Sequence, residues 1–372
     1  MKIPIAKPYL DEAEAQAAYD TVLSGWVTQG PKVAEFEDKF AKYVGSKYAV
    51  AVSNCTTALH LSMIVAGIKE GDEVICPSMS YIATANCITY VGANPVFAEV
   101  NSDYNLDIND VEKRITAKTK AILLVHQMGM PADIDTFQKL CKDKGLILIE
   151  DAACAIGSEY KGRKIGSHSD LVCFSFHPRK VITTGDGGMI STSNKRFNDR
   201  LKILRKHAMS ISDHDRHKSK EILFEDHLEV GYNYRMTDIQ AAVGIEQLKK
   251  LDKIIFERRK IAEKYIEAFK DIDCIRLPIE KEGYKSNYQS FSIYLKQICP
   301  IKRNEIMQKL VEKGISTRRG IMTSHQETAY KYRNEILPIS EDLRDNSIII
   351  PLYCSMTENE INYVVTYIKA LF

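Results

Sequence analysis

The sequence predicts an α/β fold, a mostly parallel sheet with helices on both faces, followed by a smaller α/β unit. Three observations predict it. Short apolar runs alternate with helical stretches from about residue 10 to residue 300, the pattern of strand–helix–strand units. Several runs, such as Gly145 to Glu150 and Asp170 to Phe176, are apolar enough to be buried strands. The length of 372 residues leaves room for two domains with ample core.

In order, Asp11 to Ser24 reads as a helix, Gly25 to Pro31 as a loop, and Lys32 to Val44 as a helix ending at Gly45. Tyr48 to Val52 is a short strand. Thr56 to Gly67 is a helix with Ala, Leu, Ile and Val on one side. Glu73 to Cys76 is a strand stopped by Pro77, Tyr81 to Val91 a helix, and Asn94 to Val100 extended. Ala121 to His126 is a strand, Ile134 to Lys144 a helix, and Gly145 to Glu150 a strand. After Asp170 to Phe176 come an extended run, Gly187 to Thr192, and a helix, Lys195 to Lys206. His207 to Phe224 is polar and histidine-rich with little periodicity, which reads as a long mobile loop. Met236 to Lys270 is a long helical region, straight or bent. The tail holds strands at Ile275 to Leu277 and Gln289 to Tyr294, and helices at Arg303 to Lys313 and Glu358 to Leu371. The expected division is a large domain, 1–250, and a small one, 251–372.

Composition narrows the class. Hydrophobic residues at 45% and charged residues at 27% are ordinary for a globular enzyme. A net charge of +2 gives no field to draw the chain to nucleic acid or membrane. Met1 to Pro8 lacks the apolar run of a signal peptide, and no stretch approaches the roughly 20 residues of a membrane span. The nine cysteines are scattered and form no Cys-x-x-Cys pair, so we expect reduced thiols, no metal site and a cytoplasmic location.

The chemistry concentrates after the strands. Lys180 lies in Phe174-Ser175-Phe176-His177-Pro178-Arg179-Lys180, before Thr183-Thr184-Gly185-Asp186-Gly187-Gly188. A buried strand there delivers an amine into a hydroxyl- and glycine-rich turn, where desolvation is expected to lower its proton affinity and make it nucleophilic. Asp151 ends the strand before it. Alone it could be a helix cap, but small residues follow, Ala152-Ala153-Cys154-Ala155-Ile156-Gly157, so a ligand can come close. A strand-end aspartate and a later lysine are what pyridoxal 5'-phosphate (PLP) needs: a Schiff-base partner and a carboxylate that keeps the ring nitrogen protonated. Ser53-Asn54-Cys55-Thr56-Thr57-Ala58 opens a helix after a strand and can seat a phosphate, with Ser175 as a further hydroxyl. Tyr81, after the next strand, can stack on a flat ring. A phosphate cradle, an aromatic, a carboxylate and a lysine in that order resemble fold type I PLP enzymes.

The resemblance is closer still to the DegT/StrS-type sugar-nucleotide aminotransferases, over nearly the whole chain. It is carried by Ser53 to Leu61, Pro77 to Asn86, Glu150-Asp151-Ala152-Ala153, Ser175 to Lys180 with Thr183 to Gly188, and Gly231-Tyr232-Asn233-Tyr234-Arg235-Met236-Thr237-Asp238-Ile239-Gln240-Ala241-Ala242. The resemblance implies that Lys180 is the Schiff-base lysine, that Asp151 pairs with the pyridine nitrogen and that Tyr81 stacks on the ring. It implies that Thr56, the Thr57 backbone and Ser175 hold the phosphate. Cys154 stands where family chains usually carry Gln or His near the PLP hydroxyl, and it is kept as a cofactor contact. Asn233 would reach the phosphate in a neighbouring subunit, which implies a homodimer with shared sites.

The implied reaction moves an amino group from glutamate, leaving 2-oxoglutarate, to a keto-sugar on a nucleoside diphosphate. The cofactor passes through pyridoxamine 5'-phosphate (PMP). The loop around Lys180 resembles members that aminate C4 of a 4-keto-6-deoxyhexose, for polysaccharide, lipopolysaccharide or other glycan biosynthesis. A diphosphate calls for cations. The candidates are Arg205, His207, the loop Ser210 to Lys220, and the Arg318-Arg319 pair with Arg319 foremost, while Trp26 and His325 are further substrate candidates. Family chains commonly show Tyr-x-Pro-x-His in the small domain, where this one reads Thr317-Arg318-Arg319-Gly320-Ile321-Met322-Thr323-Ser324-His325. Three rivals are weighed. A PMP-dependent sugar dehydratase would replace the lysine by histidine. A non-catalytic regulator has no use for Lys180 and Asp151. An amino-acid aminotransferase would need a small-domain arginine for the substrate carboxylate, which Arg318 or Arg319 could supply.

Overall fold

The computed structural model describes residues 1–211 and 224–372. Its first part runs α1 (Glu12–Leu23), α2 (Pro31–Val44), β1 (Tyr48–Val52), α3 (Cys55–Val65), β2 (Glu73–Pro77), α4 (Ala83–Thr89), β3 (Asn94–Ala98), α5 (Ile108–Arg114), β4 (Thr119–Val125), α6 (Ile134–Lys144) and β5 (Ile147–Asp151). It continues with β6 (Glu159–Tyr160), β7 (Arg163–Lys164), β8 (Val172–Ser175), β9 (Gly188–Thr192) and α7 (Lys195–Leu204). Seven strands form one sheet in the order β1-β9-β8-β5-β4-β2-β3. The five strands from β8 to β3 are parallel neighbours, while β9 runs antiparallel to both β8 and β1.

Local chemistry sets the ends of these elements. Asp11 and Glu14 form a reciprocal capping box at the start of α1. Gly145 ends α6 at φ 66°, a left-handed conformation that glycine adopts without Cβ strain. Helix α2 has no side-chain cap of its own. The Asp238 carboxylate supplies one from far along the chain, accepting from the N–H groups of Gly30 (2.7 Å), Lys32 (3.0 Å) and Val33 (3.0 Å). Against the sheet, Phe36, Phe40, Phe174 and Phe176 are fully buried and meet at ring separations of 5.0–6.2 Å.

The second part starts with α8 (Asp238–Phe269), a 32-residue helix opened by a Thr237/Gln240 capping box. Then come β10 (Ile275–Arg276), β11 (Tyr284–Lys285), β12 (Phe291–Leu295), α9 (Arg303–Glu312), β13 (Arg318–Arg319), α10 (Pro338–Asn346), β14 (Ser347–Ile350) and α11 (Glu358–Lys369). Strands β10-β12-β14-β13 make an antiparallel sheet, and β11 joins β6 and β7 in a small one. Residue 250, the boundary expected from sequence, falls inside α8. The first half of that helix adds Ala241, Ile245 and Leu251 to the core of the large sheet, and its second half adds Ile261, Tyr265 and Phe269 to the core of the small one. Ile3 also lies in the second core, held by a bridge to Ile315, so the first residues return to the small sheet. Most of the histidine-rich segment, 212–223, lies outside the described residues. No helix among the described residues is long and apolar enough to cross a membrane.

Candidate active site

The carboxyl ends of β5 and β8 and the start of α3 open into a cavity of about 800 Å³, lined on the other side by Arg318, Ile349 and Ile350 of the small sheet. Thr56, Thr57, Tyr81, Asp151, Cys154, Ser175 and Lys180, all expected from sequence, line it. These residues stand far apart in the chain. The parallel strands bring them together because each strand end delivers its next residues to the same edge of the sheet.

Asp151 is buried at the end of β5. Its Oδ2 accepts from the Thr84 hydroxyl at 2.9 Å and its Oδ1 from the Ala153 N–H at 3.1 Å. Burial raises the Asp151 pKa above its ordinary value, outweighing these two donors and the charge of Lys180. A buried carboxylate in this state gains from a cationic partner in the cavity.

Lys180 sits in a turn closed by its own N–H to the His177 carbonyl, 2.8 Å. Its Nζ meets the Cys154 sulfur at 3.2 Å. The sequence led us to expect a lowered proton affinity, and the structure shows the reverse. Burial does push the Lys180 pKa down, but Cys154, Cys55 and Asp151 together raise it above the ordinary lysine value. The thiol contact and the carboxylate favour the ammonium, which desolvation alone would disfavour.

At the start of α3, Asn54 caps the helix by accepting the Thr57 N–H at 2.9 Å. The Thr57 backbone, expected to hold a phosphate, is therefore engaged within the cap, while the N–H groups of Cys55 and Thr56 stand ahead of it in the first turn. A Cβ on Gly188 would lie 2.5 Å from the Asn54 carbonyl, so this strand residue must be glycine for α3 to seat. Thr183 and Thr184 do not offer their hydroxyls to the cavity. They bond the carbonyls of Phe176 (2.8 Å) and Asp186 (2.6 Å), which shapes the turn after Lys180.

A loop ahead of β12 braces the far wall. Asn287 donates to the carbonyls of Cys154 (2.9 Å) and Ile156 (2.8 Å), and Gln289 donates to the Arg179 carbonyl (2.7 Å). Together they fix the backbone beside both Cys154 and Lys180. Sequence reasoning missed Asn287, Gln289 and Thr84. Thr84 lay inside the quoted Pro77 to Asn86 segment, but nothing in the spacing pairs it with Asp151.

Five substrate candidates, Arg205, His325, Trp26, His207 and Arg319, do not line the cavity. Arg205 is 5% exposed and bonded to the Glu37 carboxylate and the Ala51 carbonyl, so its charge is spent in the core between α2 and α7. It is corrected to a structural residue. His325 is also buried, contacting Ser78 and Glu341 (3.1 Å), where it joins the two domains. Trp26 lines a groove beside α1 and α2, with its Nε1 3.3 Å from the Gln29 carbonyl. His207 is exposed at φ 61°. Asn233 is exposed and off the cavity of its own chain.

Arg319 faces away and pairs with Glu327 at 3.7 Å. Its neighbour Arg318 lines the cavity, because adjacent strand residues point to opposite faces. Arg318 stands opposite Ile349, which also lines the cavity, and Arg319 opposite Ile348, which does not. Arg179 is the second arginine on the cavity wall.

The donor set fits pyridoxal phosphate. A helix start favours the phosphate. Tyr81 presents a ring that is 67% exposed on the wall, Asp151 is a carboxylate suited to a cation, and Lys180 is the amine.

Comparison with known proteins agrees. The profile of the DegT/DnrJ/EryC1/StrS aminotransferase family matches residues 8–369. An uncharacterized protein of Methanocaldococcus jannaschii is 36% identical over 375 residues, which is 99% of this chain and 97% of that protein. A Streptococcus pneumoniae protein assigned as a sugar aminotransferase, solved in PMP and PLP forms, is similar. In the PMP form the TM-score is 0.94 at 29% identity, over 100% of this chain and 99% of that one. Helicobacter pylori PseC, an aminotransferase involved in the biosynthesis of pseudoaminic acid, gives a TM-score of 0.93 at 28% identity, over 100% and 99% of the two chains.

Proposed function

The chain belongs to the DegT/DnrJ/EryC1/StrS aminotransferase family, and from that premise we propose that it moves an amino group from glutamate to a keto-sugar carried on a nucleoside diphosphate. Its cofactor is pyridoxal phosphate, with pyridoxamine phosphate as the amino-carrying form. In this reading the receiving carbon is C4 of a 4-keto-6-deoxyhexose and the product serves surface-glycan synthesis. The enzyme works in the cytoplasm as a homodimer, with Asn233 serving the partner's site.

The observation that carries the reading is the cavity. It holds the lysine and carboxylate at its base, and at about 800 Å³ it is roomy beyond what a small amino donor requires. Two arginines, Arg179 and Arg318, add the positive charge that a diphosphate needs.

Pyridoxal phosphate supplies an aldehyde carbon for the donor's amine and a ring that delocalises the electron pair left at the substrate carbon. The chain does the rest. Lys180 holds the cofactor between turnovers, then, once freed, carries a proton between the substrate carbon and the cofactor. Asp151 holds a proton at the ring nitrogen. Thr84 and the Ala153 N–H orient that carboxylate without neutralising it. The first turn of α3, Thr56 and Ser175 seat the phosphate, Tyr81 covers one ring face, and Asn287 and Gln289 keep the lysine turn in register.

The test separates the half-reactions. Protein in the pyridoxamine form is mixed with nucleoside-diphosphate keto-sugars or with plain 2-oxo acids, and the return of visible absorbance is followed in a single turnover. The proposal expects the keto-sugars to restore it faster. An equal or better response to 2-oxo acids would favour the amino-acid aminotransferase, in which Arg318 would bind a carboxylate.

A further inference from the structure

Cys154 and Lys180 are in contact inside the cavity, Sγ to Nζ 3.2 Å. The aminotransferase reading uses the amine for chemistry and gives the thiol no step of its own. Four of the nine cysteines, Cys76, Cys87, Cys141 and Cys173, are buried. Cys154 is half-buried on the wall of an open cavity, where a small solute can reach it. Side chains of the loop ahead of β12 hold the backbone of the pair from both sides, the Asn287 amide donating to the Cys154 carbonyl and the Gln289 amide to the Arg179 carbonyl in the lysine turn.

We propose that Cys154 and Lys180 form an oxidation-dependent covalent modification site, in which oxidation by hydrogen peroxide joins the thiol sulfur to the lysine nitrogen and so closes the site to pyridoxal phosphate. The thiol sulfur attacks the peroxide, is oxidised by two electrons to the sulfenic acid, and releases one water as the O–O bond breaks. Lys180 gives up its ammonium proton to solvent and, as the neutral amine, attacks that sulfur; the S–N bond forms, and the sulfenic oxygen leaves as a second water. The sum is thiol plus amine plus hydrogen peroxide giving a sulfenamide and two waters. Two equivalents of an external thiol reverse it, returning the free pair and one disulfide.

The geometry selects this product. An amine nucleophile already lies at hydrogen-bond distance from the sulfur, and a flexible lysine closes the remaining gap by rotamer change. The linkage consumes the amine to which pyridoxal phosphate binds, so bound pyridoxal phosphate and linkage exclude each other. The susceptible states are those in which Lys180 is free, the cofactor-free chain and the pyridoxamine form.

The test uses the full-length chain, with and without saturating pyridoxal phosphate, exposed to hydrogen peroxide and mapped by peptide mass spectrometry. The expected result is a Cys154 peptide joined to the Lys180 peptide with loss of two hydrogens. It should form only without pyridoxal phosphate and disappear with dithiothreitol. Cofactor uptake, read as visible absorbance, should fall in proportion to the joined fraction and recover with it. Cys154→Ser, compared with its own untreated sample, should show no peroxide-dependent loss of uptake. The proposal is overturned if Cys154 advances to sulfinic or sulfonic acid with the Lys180 peptide free. It is also overturned if Cys154 joins Cys55, or if the linkage forms equally with cofactor bound. These readings do not involve a sugar or an amino donor, so they stand or fall apart from the substrate assignment.

Discussion

At the scale of single residues, Lys180 and Asp151 are placed by strand ends and tuned by neighbours. In the proposed mechanism, Lys180→Ala would remove the covalent anchor and the proton carrier together. Single-turnover transamination should fall by about 1,000-fold or more, the size of a general acid–base contribution. Wild-type turnover in that variant would remove Lys180 from the reaction. For Asp151 the sign of the pH effect follows from burial. Its folded pKa is raised above the ordinary 3.8, so the folded chain binds the proton more tightly than the unfolded one. Stability from this group is full below 3.8 and is lost as pH rises through the folded value. Asp151→Asn does not titrate. In cofactor-free protein its melting temperature should therefore gain on wild type as pH rises from acid to neutral, while its activity at neutral pH falls steeply. A gap that does not change with pH would contradict the burial argument. Lys180, Asp151 and the cavity-lining Thr56, Tyr81, Cys154 and Ser175 were legible because a chemical need and a strand end coincide in the sequence. Arg205 and His325 were misread because composition shows a charge but not its partner, and their partners, Glu37 and Ser78, are distant in the chain. Arg319 was chosen over Arg318 because nothing in the sequence says which face of a two-residue strand meets the cavity.

At the scale of elements, the large sheet was readable because buried parallel strands are continuous apolar runs with glycine or proline at their ends. The short α5 escaped notice, since only Val111 of its seven residues is buried and no apolar stripe develops. Asp238 is the element-level surprise. It sits in a segment singled out for its resemblance, and its side chain caps a helix some 200 residues earlier. Asp238→Ala should destabilise the chain by about 2 kcal/mol, the scale of lost hydrogen bonds to a charged group, measured by urea denaturation. A change below about 0.5 kcal/mol, the level of an ordinary surface substitution, would mean that the N–H groups find other partners. Phe40→Ala in the four-phenylalanine cluster should cost about 3–5 kcal/mol on the same assay. A loss no larger than that of a surface substitution would show that the cluster can collapse around the gap.

At the scale of the whole molecule, the two cores share one helix and the N-terminal residues, so the domain division is a matter of packing rather than of a linker. Asn233 lies exposed on its own chain, and the proposed shared site would give it work across a two-fold interface. Mixing inactive Lys180→Ala with inactive Asn233→Ala under subunit exchange should therefore restore part of the activity. An active monomer in sedimentation would end the shared-site reading. The measurement that goes most directly to the central claim is reductive trapping. Protein loaded with pyridoxal phosphate is treated with borohydride, which makes the bond between cofactor and lysine permanent, and the peptides are mapped. The account predicts that the cofactor mass lies on Lys180 alone and is absent from Lys180→Ala. Cofactor mass on another lysine, or on none, would contradict it.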